Sequence, residues 1–173
     1  MNYDNHIIPR GYVGRRKVTA LASLVQILCP VKVVPIHMNV KRKEQLAEIA
    51  SKYNVDLTIC TFDNIESRVL VRDWALESKI PTLFIGVTQN HVYIDWAEYI
   101  MLPETDEERR RVEDEMRRIR DVCSRIEFRP LGSLAASLAY LAVVKFIKDE
   151  VKIRYVVSIE DSKIHVCTLE VIR

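Results

Sequence analysis

Apolar and polar positions along this 173-residue chain fall into two alternating periods, one helical and one extended. Over residues 14–29, Val18, Leu21, Ala22, Val25 and Leu28 recur at helical spacing, and Pro30 ends the run. Residues 31–38 are rich in Val and Ile and read as a strand. A second helix over about 41–52 would bury Leu46, Ile49 and Ala50, with Asn54 as its stop. Residues 57–61 are a short apolar run of the kind that parallel sheets bury on both faces. Asn64 is placed to cap a helix over residues 65–78, and Pro81 introduces a strand over 82–87.

Strand–helix–strand alternation of this kind predicts a parallel sheet with right-handed crossovers. Residues 92–100 alternate loosely and suit an additional strand, partly exposed because of Asp95 and Glu98. Residues 104–122 form a charged helix whose apolar stripe is Val112, Met116 and Ile119. Glu107/Arg111, Glu113/Arg117 and Asp114/Arg118 stand at i,i+4 along it. An apolar helix over 131–148 precedes two runs, 153–159 and 163–172, that flank Glu160-Asp161-Ser162 as a hairpin. The expected fold class is α/β: a mainly parallel sheet flanked by helices, closed by a C-terminal antiparallel hairpin.

Composition narrows the classes of function. The length suits a single domain with a sizeable core, and an apolar share of 49% with only four glycines excludes a disordered or low-complexity chain. A formal charge of +2, with basic clusters at Arg10–Lys17 and Lys41–Lys43 balanced elsewhere, argues against nucleic acid as a partner. The apolar run 131–144 stops at Lys145 and is short for a membrane span, so no membrane is expected. Cys29, Cys60, Cys123 and Cys167 form no C-x-x-C pair and no signal segment is visible, which predicts reduced thiols, a cytoplasmic location and no zinc site. The four histidines have no spacing typical of metal ligands or a catalytic triad.

Chemistry concentrates at Thr61-Phe62-Asp63-Asn64-Ile65-Glu66-Ser67-Arg68, a polar turn between an apolar strand and a helix. Open α/β sheets present ligands at such carboxyl ends. Asp63 can coordinate Mg²⁺ there and Asn64 can bond a ligand; equally, both can be turn and cap residues. Read in order, Asn2-Tyr3-Asp4, Pro9-Arg10, Gly14-Arg15-Arg16-Lys17, Cys29-Pro30 and Thr61-Phe62-Asp63-Asn64 form a series. Ile80-Pro81-Thr82-Leu83 and Pro130-Leu131-Gly132-Ser133-Leu134-Ala135 continue it. The ordered set, with the Asp-Asn-x-x-x-Arg turn at its centre, resembles the ThiF/MoeB/HesA group of ubiquitin-activating-like adenylyltransferases.

That resemblance implies ATP and Mg²⁺ as cofactors, and a ubiquitin-like or sulfur-carrier protein, or a complementary activating subunit, as partner. It places Lys17 on ATP phosphates, Asp63 on Mg²⁺, Asp4 near the ribose and Arg10 against the charge that develops at adenylation. Asn64 and Arg68 join the nucleotide site through the same turn. Cys123, seven residues before Pro130 and among arginines, matches the position of a thioester-forming cysteine. It also continues a helical apolar stripe, where an inert buried cysteine fits. Cys29, Cys60 and Cys167 read as core.

The family's fold begins with a strand, a Gly-x-Gly-x-x-Gly turn and a helix that receives phosphate. Gly11, Gly14, Gly86 and Gly132 cannot rebuild that unit. The resemblance therefore implies one truncated Rossmann-like domain over residues 1–173, with the strand at 31–38 parted from that at 57–61. These two strands could pair directly, a partner chain could supply the sheet's centre, or a homo-oligomer could cover its edges. Autonomous ATP-dependent adenylation is not expected of such a chain; a full enzyme with a further N-terminal region, or a non-enzymatic scaffold using the charged helix, are the alternatives.

Overall fold

Alternate residues of three neighbouring strands, Leu83, Ile94, Trp96, Val92 and Val157, are almost wholly withdrawn from water and face one helix. That layer organises the chain. The structure is a computed structural model, and it describes residues 10–88, 90–118, 129–160 and 163–171. After a 3-10 turn at Arg10–Tyr12 come α1 (Lys17–Leu28), α2 (Lys43–Tyr53), β1 (Thr58–Cys60), α3 (Ile65–Ser78) and β2 (Thr82–Val87). Then follow β3 (His91–Trp96), α4 (Asp106–Arg118), α5 (Arg129–Asp149), β4 (Lys152–Glu160) and β5 (Lys163–Val171). The five strands lie side by side in chain order.

Helix α5 packs on one face of β2, β3 and β4 through Leu131, Ala135, Ala139 and Ala142. Small residues at that stripe let the helix sit close to the sheet. By length and composition α5 could cross a membrane, and it is covered only along this stripe: Tyr140, Leu141 and Ile147 stay in water, so it is not the buried helix the sequence predicts. Helix α3 covers the other face through Val71, Trp74 and Ala75, against Cys60 and Phe84. Strand β2, covered on both sides, is accordingly buried at five of its six residues to half or more and reads as a continuous apolar run. Trp96 anchors the first layer: its indole N–H donates to the Ile153 carbonyl at 3.0 Å, and its ring lies 4.9 Å from that of Phe146.

The α/β class, the flanking helices and the terminal hairpin match the sequence expectation, and α3 and β2 fall on the anticipated residues. Three details differ. The sheet is mixed: β1 and β2 pair in parallel, whereas β2–β3, β3–β4 and β4–β5 are antiparallel. A connection as short as residues 88–90 can only return antiparallel, because a parallel neighbour needs a long crossover. Residues 31–38 form no strand; Pro35 lacks the N–H a ladder needs, and no strand pairs with the segment among the described residues. Strand β1 is consequently an edge strand, with Ile59 48% exposed, and is not buried on both faces.

The same missing neighbour leaves apolar side chains in water. Leu21 and Leu28, expected to be the buried stripe of α1, are exposed, as are Val31, Val34 and Met38. Cys29 and Cys167 are exposed rather than core, while Cys60 is buried as expected. Helix α2 keeps Leu46, Ile49 and Ala50 only half-buried, and Asn54 ends it in the left-handed region at φ 49°. In α4, Arg111 meets Glu107 at 3.4 Å. The side chains of Arg117 and Arg118, and residues 119–122 of that predicted helix, lie outside the described residues.

Candidate nucleotide-lineage site at the end of the first strand

Strand β1 stops at Cys60 because the next residues turn away from the ladder and cap a helix. The Asn64 side chain accepts from the Ser67 N–H at 2.8 Å, so its oxygen is committed to the N-terminus of α3. Asp63, one residue earlier, is exposed at the carboxyl end of β1. It makes no hydrogen bond or ion pair among the described residues. The sequence reading had allowed Asn64 to be either cap or ligand group; the geometry assigns it to the cap.

Arg68 is the unexpected member. Its position in the first turn of α3 points it under the β1–α3 turn, where only 4% of it remains exposed. Its Nε donates to the Phe62 carbonyl at 2.7 Å and its Nη2 to the Ile85 carbonyl. The guanidinium also stacks 5.5 Å from the Tyr93 ring centroid. One nitrogen, Nη1, is buried with no hydrogen-bond partner among the described residues. Arg68 thus ties the end of β1 to the end of β2, and its hydrogen bonds go to backbone.

Tyr93 and Gly86 complete the arrangement, and both escaped the sequence reading. They oppose each other across β2 and β3, and a Cβ built on Gly86 would stand 1.8 Å from the Tyr93 ring. The ring can lie over β2 only because residue 86 has no side chain. An isolated Gly inside a strand signals close approach of this kind, and that signal was available. Burial pushes the Tyr93 phenol up from its ordinary pKa, with the Arg68 charge opposing. Burial likewise raises the Cys60 thiol, against a hydrogen bond from the Phe62 backbone and the Arg68 charge. Cys60 is therefore held as a neutral thiol at neutral pH.

Beyond this cluster, Asp95 accepts a bidentate pair from Arg154 at 2.6 and 2.8 Å, and Lys152, 4% exposed, is paired with Glu98. The two acids that made β3 look solvent-facing are partners of β4 cations. Among the other anticipated site residues, Lys17 opens α1 as an exposed side chain, and no hydrogen bond or ion pair links it to the Asp63 turn. Arg10 begins the 3-10 turn; its side chain, Asp4 and Cys123 lie outside the described residues.

The site's fit to Mg²⁺ and ATP can be judged from these donors. No group of three or more His, Cys, Asp or Glu side chains able to hold a metal occurs among the described residues. A single free carboxylate is consistent with Mg²⁺ only when substrate phosphates supply further ligands, which is how Mg²⁺ is commonly held. Asp63 alone does not make a resident metal site, and an Mg²⁺ beside it would have to take most of its ligands from phosphate oxygens and water.

An open-edged α/β sheet with a free aspartate and a capped helix at its first strand's carboxyl end is a Rossmann-like arrangement. The ThiF family model matches residues 2–165, and the chain belongs to that family. Solved structures share the fold. Escherichia coli MccB with AMPCPP and MccA superposes with a TM-score of 0.65 at 16% identity, over 93% of this chain and 50% of that one. MccB with ATP gives 0.65 at 16%, over 93% and 51%. PaaA gives 0.63 at 15%, over 96% and 59%. The chain thus spans about half the length of the MccB structures it matches. No curated protein matches it.

Proposed function

We propose that this chain is a partner-dependent relative of the enzymes that adenylate the C-terminus of ubiquitin-like or sulfur-carrier proteins. In this reading it contributes Asp63 as the Mg²⁺ carboxylate and Lys17, Arg10 and Asp4 as nucleotide contacts, while a complementary subunit supplies the phosphate-cradling unit. The observation that carries it is the outer edge of β1, unpaired among the described residues, with Ile59 half in water and the unengaged Asp63 just after the strand's carboxyl end. A sheet that ends on an exposed apolar strand beside its ligand-binding end is half of a crevice. The exposed apolar residues of α1 and 31–38 support the same reading, since one partner could cover them together. Self-association and a cytoplasmic setting are part of the proposal, as is a reactive role for Cys123.

Titration calorimetry with Mg-ATP tests it. Little or no heat is expected from the chain alone, and binding is expected once a subunit with a Gly-x-Gly-x-x-Gly unit is present. ATP–pyrophosphate exchange by the purified chain with a carrier protein alone would overturn partner dependence. The half-length overlap with MccB favours one second reading, a complete adenylyltransferase of which these residues are a part. A strand followed by Gly-x-Gly-x-x-Gly in the reading frame upstream of Met1 would decide for it.

A further inference from the structure

The opposite edge of the sheet carries its own open ladder. Strand β5 runs nine residues in unbroken register with β4, from Glu160↔Lys163 to Lys152↔Val171, with neither a bulge nor a proline. Every residue from Lys163 to Glu170 is exposed, and Ile164, Val166 and Leu169 are apolar side chains 47–62% in water. Soluble proteins blunt such edges with short strands, bulges, prolines or charged side chains, lysine above all. Along β5 only Lys163, at one end, and Glu170, near the other, are of that kind, and the six residues between them carry none of these devices.

We propose that β5 pairs antiparallel with β5 of a second copy of this chain, about a two-fold axis at Cys167. This names a surface for the self-association proposed above and rests on that part alone, not on nucleotide binding. The register follows from the strand itself. Full overlap of residues 163–171 with their mates sets Cys167 opposite its own copy, Val166 opposite Thr168 and His165 opposite Leu169. Backbone directions agree. The pair closing a two-residue hairpin is hydrogen-bonded, so Lys163 and every second residue after it point to β4. Ile164, Val166, Thr168 and Glu170 then point outward, and in the proposed register they meet only one another.

Symmetry favours a second copy over another strand. In the antiparallel register Lys163 faces Val171 and Glu170 faces Ile164, so no like charges are opposed, whereas in-register parallel pairing would stack lysine on lysine. An isologous pair also consumes both open edges and closes at two subunits. A nine-residue strand pair falls short of the roughly 800 Å² per partner of a standard stable interface. The dimer is therefore concentration-dependent, in the micromolar range.

Sedimentation equilibrium of the full chain should show a monomer–dimer equilibrium. Thr168→Pro removes an outward N–H while sparing the β4 ladder, and it should shift the chain to monomer with unchanged far-UV circular dichroism. Val166→Lys is the second variant, expected to weaken association at least tenfold. In a Cys29→Ser/Cys123→Ser background, diamide should join the two Cys167 thiols: each loses its proton, and diamide takes the two electrons and two protons. A wild-type chain that stays monomeric at 200 µM (roughly a hundredfold above a micromolar Kd) would overturn the proposal. So would a dimer that survives Thr168→Pro in folded form, or one that gives no Cys167 cross-link. Slowed exchange of β5 amides only on adding a carrier protein would assign the edge to that protein instead. Mg-ATP calorimetry on Thr168→Pro with the Gly-x-Gly-x-x-Gly subunit present keeps this result separate from the nucleotide reading.

Discussion

Replacing Arg68 by alanine removes the tie between the ends of β1 and β2. The side chain is almost wholly buried and donates to the Phe62 and Ile85 carbonyls. Truncation leaves both oxygens without that donor, at about 1–3 kcal/mol each where water cannot replace it. Part of this is returned, because a buried guanidinium with no carboxylate hydrogen-bonded to it, and with Nη1 unpartnered, no longer has to be desolvated. A net loss of about 2–4 kcal/mol is expected. For a chain of this size that corresponds to a fall in Tm of roughly 4–16 °C. Urea unfolding should show a lower midpoint with an unchanged m-value. Arg68→Lys should recover only part of the loss, since one ammonium cannot reproduce a fork spanning two strands. A stability change below about 0.5 kcal/mol, the range of an ordinary surface substitution, would refute the clamp. Loss of nucleotide binding at unchanged stability would restore Arg68 to the ligand role the family resemblance implied.

Three further outcomes follow from the same cluster. Gly86→Ala places a methyl within 1.8 Å of the Tyr93 ring and should cost about 1–3 kcal/mol, with a less-than-additive cost when combined with Tyr93→Ala in a double-mutant cycle. Asn64→Ala removes the cap on Ser67 N–H and should cost about 1 kcal/mol by thermal unfolding. Because burial raises both Cys60 and Tyr93, the folded state holds those protons longer than the unfolded chain does. Their contribution is complete below the ordinary thiol pKa of about 8.5 and declines as pH rises through the raised values. Urea titrations from pH 7 to 10 should show falling stability, less steeply in Cys60→Ala, and iodoacetamide at pH 8 should label Cys29 and Cys167 before Cys60.

Where a residue's role is set by its near neighbours in sequence, the sequence was enough to read it. Asn64 caps α3, Asn54 ends α2, and Pro81 opens β2, each by a local backbone rule. Residues 31–38 misled because a strand exists only when something pairs with it, and composition cannot report an absent neighbour. The same reason separates Leu21 and Leu28 from the core that their spacing predicted. Arg68 was visible as a family residue, but not as a clamp. Its two acceptors lie 6 and 17 residues away in sequence, one in the loop after β1 and the other on β2. Cys167 sits in an apolar segment and so read as core, yet an apolar segment on an edge strand need not be covered; α5 packs chiefly on β2, β3 and β4, and Cys167 is exposed.

The two edges of this sheet are open for different physical reasons, and that bears on which partner each can take. Strand β1 offers only three residues, Thr58–Cys60, followed by the exposed Asp63. So short a ladder cannot hold a partner by backbone pairing alone; what docks there must add side-chain contacts, which calls for a folded unit rather than a lone strand. Strand β5 is the reverse case, nine regular residues exposed from Lys163 to Glu170. A single strand is sufficient there, and an identical one is always at hand. Occupying β5 also leaves β1 free, because three strands separate them. Self-pairing at one edge and a complementary subunit at the other are therefore compatible in one assembly, and Mg-ATP binding by Thr168→Pro with that subunit present, equal to wild type, would show that the two are independent.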